Sequence, residues 1–175
     1  MIKIKNLLGI STALAAFLLP VVFVGTVFAS STDTVAATVT PQNISVSVTD
    51  GTVAYGTVDL SSSEDTAAGG LNDSQTATND GNITEDLNIT STDATGGTTW
   101  SLAGTIGANQ YKHSFCTTDC DGSPTWTALT TSYQALGTSI SASGTKVFDL
   151  KIDTPSSSSD YVQKSITVTV QAVAS

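Results

Sequence analysis

The sequence predicts an all-β chain: a single β-sandwich of immunoglobulin-like or jelly-roll type, built of about eight to ten short strands behind an N-terminal signal peptide. Apolar residues recur at every second position over short runs, the period of a half-buried strand rather than of a helix. Asp-Gly, Asn-Asp-Gly and Gly-Gly clusters separate the runs and suit tight turns, where glycine carries no Cβ penalty. Beyond residue 29 the chain is rich in serine and threonine and sparse in good helix formers, and no stretch there carries a 3.6-residue apolar stripe.

The N-terminus comes first. Lys3 and Lys5 precede an uncharged apolar run over residues 7–29, broken by Pro20, which reads as the basic and hydrophobic regions of a secretion signal. Val27-Phe28-Ala29 suits a signal peptidase cut before Ser30. The alternative is an uncleaved membrane anchor, since roughly 20 apolar residues can span a bilayer. Residues 30–175 then form one domain, a length that can bury a real core.

Within it, Ile44, Val46 and Val48 alternate, as do Val53 and Tyr55, then Ile83, Leu87 and Ile89 with Glu85 between them on the expected outward face. Residues 99–103 place Trp100 and Leu102 together, and residues 110–116 do the same for Tyr111, His113 and Phe115. Residues 146–152 present Phe148, Leu150 and Ile152, and residues 163–174 present Ile166, Val168, Val170 and Ala172, the clearest alternation in the chain. Residues 61–72 and 154–160 read as polar surface loops.

Charge narrows the partners. All fifteen acidic residues follow residue 29, against Lys112, Lys146, Lys151 and Lys164, and arginine is absent. Such a surface repels phosphate backbones and offers no guanidinium fork, so no nucleic-acid partner is expected.

Cys116 and Cys120 are the only cysteines, and in an exported chain the first expectation is a disulfide. Closing so short a loop contributes on the order of 2 kcal/mol, enough to stiffen a hairpin tip but not to hold a fold together. Zinc is disfavoured because it wants four ligands and His113 is the only histidine. Asp119 and Asp121, with Gly122, have the look of part of a calcium loop, but Thr117 and Ala128 stand where further carboxylate ligands belong, so a hairpin turn is the plainer reading. No metal or cofactor is expected.

Nor is catalysis. The glutamates are Glu64 and Glu85, His113 alternates with aromatic residues, and no G-x-S-x-G elbow occurs. Trp126 and Tyr133 are candidate glycan contacts alongside Trp100 and Tyr111, although a sandwich normally buries one or two aromatics. Sequons at Asn43, Asn72, Asn82 and Asn88 fit chance in so hydroxyl-rich a chain.

Residues 51–60, residues 87–90 leading into Trp100-Ser101-Leu102, and the closing run over residues 165–170 together resemble the WxL-type bacterial cell-surface domains. The chain is also similar to small secreted bacterial β-sandwich proteins. The WxL resemblance implies a secreted β-rich module that attaches non-covalently to peptidoglycan, with Trp100 and Leu102 as its first motif. Trp126-Thr127-Ala128-Leu129 has one residue more than the second motif requires.

Three functions are therefore expected, from different classes. The first is a non-catalytic secreted or cell-surface structural module engaging an envelope component or another surface protein. The second is a glycan- or peptidoglycan-binding module. The third is a fibre-forming subunit that self-associates by strand exchange, with residues 34–40 and the final strand as free termini.

Overall fold

The computed structural model describes residues 31–175, so the expected signal peptide at residues 1–29 lies outside the described residues. The strands are β1 (Val46–Thr49), β2 (Ser63–Asp65), β3 (Gln75–Asn79), β4 (Glu85–Ser91), β5 (Ser101–Leu102), β6 (Gln110–Cys116), β7 (Thr127–Ala128), β8 (Gln134–Ile140), β9 (Thr145–Asp153) and β10 (Val168–Ala174). No helix occurs among the described residues.

These strands make a β-sandwich. A seven-stranded sheet runs β1-β3-β9-β6-β5, with β2 also paired to β9 and β7 to β6, and a three-stranded sheet runs β10-β4-β8. Every ladder is antiparallel except that of β5 with β6. Leu87, Ile89 and Leu136 from the smaller sheet meet Ala77, Phe115, Phe148 and Leu150 from the larger one in a buried cluster. Burying each large side chain of this kind contributes about 1.5–3 kcal/mol. A second cluster of Ala94, Tyr111 and Ile152 takes Trp100, Leu102 and Ile166 as partly buried neighbours.

Alternation located β1, β4, β6 and β9 well. It was silent on β3 and β8 for a physical reason. The inward positions of β3 are Gln75, Ala77 and Asn79, all nearly solvent-free, so two of three are polar. Asn79 Nδ2 donates to the Ile83 and Ile140 carbonyls at 2.8 Å, and its Oδ1 accepts from Gly81 N at 2.8 Å. A fully bonded amide can replace an apolar side chain in a core, and hydropathy patterning does not register it.

Other expectations are corrected. Glu85 is fully buried rather than outward: it continues the inward row of Leu87 and Ile89, and its Oε1 accepts from Ser45 N at 3.0 Å. Residues 61–72 contain β2, followed by buried Thr66 and Ala67. Thr154 and Pro155 are buried as well, leaving only residues 156–160 as surface loop. The last strand begins at Val168 rather than at residue 163.

A compact unit spans Thr40–Ser175, distinct from Met1–Val39. Residues 31–45 form no strand. Residues 41–45 are nonetheless held: Asn43 N donates to Asn82 Oδ1 and Asn82 Nδ2 to the Pro41 carbonyl, each at 2.8 Å, while Asp80 N donates to the Ser45 carbonyl at 2.8 Å.

Candidate functional site

The sandwich carries a groove along one side. After β1 the chain turns at Gly51, whose φ of 87° suits glycine, and runs on through residues 52–60. Val53 and Tyr55 turn inward and pack on the main core cluster, as their alternation predicts. Yet among the described residues no backbone-to-backbone hydrogen bond reaches residues 52–60, so the segment is not a strand. It is tied at its ends instead. Gln75 accepts from Gly51 N at 2.8 Å and donates to the Thr52 carbonyl at 3.2 Å, while Thr154 Oγ1 donates to the Asp59 carbonyl at 2.5 Å.

Across from this segment lie residues 160–166 and β10. One edge of β10 pairs with β4, and no strand pairs with the other among the described residues. Between the two walls runs a groove of about 1010 Å³, with Phe148, Leu150, Ile152 and His113 among its lining. Val53, Tyr55, Val168 and Val170 line it too and stay only partly buried, although they pack on the core. Tyr161 and Val162, also in the lining, are 86% and 55% exposed.

Charge fixes the rim at residues 160–165. Lys164 Nζ binds Asp160 Oδ1 at 2.6 Å and donates to the Thr98 carbonyl at 2.7 Å and to the Gly96 carbonyl. The lysine, together with hydrogen bonds from the Thr98 and Val162 amides, holds the Asp160 carboxyl well below the usual range. A Cβ at Gly96, where φ is 113°, would stand 2.3 Å from the Gln163 carbonyl oxygen, so only glycine lets the two loops approach this closely.

A polar chain sits at the floor. Tyr55 OH is 2.9 Å from His113 Nε2, and Ser91 Oγ is 3.1 Å from His113 Nδ1. Burial pushes His113 down to about 4, so the ring is neutral at physiological pH, with one nitrogen donating and the other accepting. Burial raises Tyr55 above its ordinary value and Tyr111 to about 12. Ser91 is 2% exposed, so its hydroxyl is sealed from an incoming substrate despite the histidine beside it. The chain works as a tie from the middle of residues 52–60 to β6 and β4.

The residues singled out from sequence are scattered. Cys116 and Cys120 are bridged, with Cα atoms 5.8 Å apart. Asp119 accepts from Ser123 N at 3.1 Å and Asp121 from Ala68 N at 2.7 Å, and among the described residues no group of three or more His, Cys, Asp or Glu side chains converges on a metal-sized site. Both aspartates act as turn and loop ties.

Trp126 is half-buried with Lys151 Nζ 5.9 Å from its ring centre, and Tyr133 is 48% exposed. Trp100 carries Lys164 Nζ at 5.3 Å and donates from Nε1 to Ser158 Oγ at 3.0 Å. Tyr111 is fully buried. Burial takes Tyr111 out of any stacking surface, while Trp100, Trp126 and Tyr133 stay partly exposed. Leu102 lies on β5 against the second cluster. Alternating runs mark each of the groove's two walls but not the groove between them.

Comparison with protein-family models, with characterised proteins and with solved structures gave no match.

Proposed function

We propose that the chain is a non-catalytic, exported structural subunit that assembles at the cell surface by strand exchange. One observation carries this reading: a groove runs between residues 52–60, which form no backbone-to-backbone hydrogen bond among the described residues, and β10, which has no second strand neighbour among them, and it leaves Val53, Tyr55, Val168 and Val170 only partly covered. Both features fit an extended peptide segment. Its backbone would satisfy an unpaired strand edge, and alternate side chains would cover Val53, Tyr55, Val168 and Val170. The Cys116–Cys120 bridge fits an oxidising compartment. The acidic surface favours protein over nucleic acid as partner.

Sedimentation and negative-stain imaging of the mature protein over a wide concentration range test the reading. Species larger than the monomer, growing with concentration, are the expected result. A stable monomer throughout, with the fold confirmed by a β-type circular dichroism spectrum, would rule it out.

A further inference from the structure

The groove needs an occupant, and the chain carries a suitable one. Residues 34–40 read Thr-Val-Ala-Ala-Thr-Val-Thr. As a strand they would set Val35, Ala37 and Val39 on one face and hydroxyls with Ala36 on the other, the pattern of a strand with one buried face. At about 3.3 Å per residue, seven residues match the length of a strand such as β10, itself seven residues long. Val35 is 95% and Val39 90% exposed. β-Branched residues alternating in an unpaired segment have a high propensity to add to a sheet edge. No charge falls within residues 34–40, so entry into the groove strips no ion on the segment of water.

The segment's base is held in place. Pro41 restricts Thr40 to extended backbone, and the Asn43–Asn82 pair fixes residues 41–43 on the turn before β4. The chain therefore enters that turn with Thr40 extended. The final strand, by contrast, is already committed: β10 pairs with β4 along its whole length, from Val168 with Ser91 to Ala174 with Glu85.

We infer that residues 34–40 of one copy fill the groove of a second copy, lying as an added strand between β10 and residues 52–60. This rests on the strand-exchange reading and names its donor. The contact is heterologous, since the donor arm and the acceptor groove are different surfaces, so repetition yields an open chain of subunits where the rotation does not close and a ring where it does.

Two measurements on the mature protein test it. In the first, Val35→Asp with Val39→Asp places charges on the donor face without touching the sandwich core. Assembly should then need at least about tenfold more protein, because two buried valines are lost from the contact, while the melting curve of the monomer stays unchanged. In the second, a Val39→Cys pool is mixed under oxidising conditions with an isotopically heavy Val162→Cys pool. Disulfide-linked dimers of mixed mass are expected.

Assembly by the arm variant at wild-type concentration would overturn the donor assignment while leaving strand exchange by some other segment intact. A chain carrying both cysteines that links only to itself would also overturn it, because the arm would then fill its own groove. Wild-type protein that never assembles would defeat the reading beneath the inference instead.

Discussion

His113 shows how one residue ties the site to the stability of the molecule. It is buried and neutral, wedged between Tyr55 and Ser91, with the Tyr111 ring tilted 6.2 Å away. The unfolded chain takes up a proton at His113 near pH 6.5, the folded chain only near 4. Its contribution is thus fully present above pH 6.5 and is lost as the pH falls from there toward 4, amounting to on the order of 3 kcal/mol. Denaturant melts of wild type and His113→Gln at pH 7 and pH 4.5 should show a smaller acid loss in the variant, and equal losses in both would contradict the assignment. From sequence, the alternation sets this ring on one face with Tyr111 and Phe115, as a packed or edge residue, but nothing local announces Tyr55 as its partner, which is 58 residues away. Glu85 was misplaced for the opposite reason. Its position in the period points inward, against the usual preference of a carboxylate for water.

Among the elements, periodicity reported burial faithfully and pairing poorly. Val53 and Tyr55 alternate because they face a core, yet among the described residues their segment has no backbone-to-backbone hydrogen bond, and the same two-residue period describes both situations. Conversely β3 has ladder partners on both sides and almost no hydropathy signal, since Gln75 and Asn79 hold its inward positions. The polar run at residues 61–72 hid β2 because Thr66 and Asp149 satisfy one another inside, Thr66 Oγ1 donating to Asp149 Oδ1 at 2.9 Å. The hairpin tip beyond β6 was easier, because its cysteines set the loop closed by the bridge. That bridge spans a sequence separation of 4, so its reduction should lower stability by no more than about 2 kcal/mol. Urea melts with and without a reductant check this; complete unfolding on reduction would mean that the bridge holds more than the tip.

At the largest scale, the unit over Thr40–Ser175 is a sandwich with a groove between residues 52–60 and β10. The all-β class and the sandwich were legible, because alternation and turn chemistry are local. The groove was not, because an unfilled position between two walls far apart in sequence leaves no mark on either. Central to the account is that an incoming strand covers this opening. Backbone hydrogen exchange measured on monomer and on assembled protein addresses that claim most directly: amides of residues 52–60 and those of β10 that point away from β4 should exchange fast in the monomer and slow strongly on assembly, while those of β9 and β6 change little. Equal rates at residues 52–60 and β10 in the two states would contradict it.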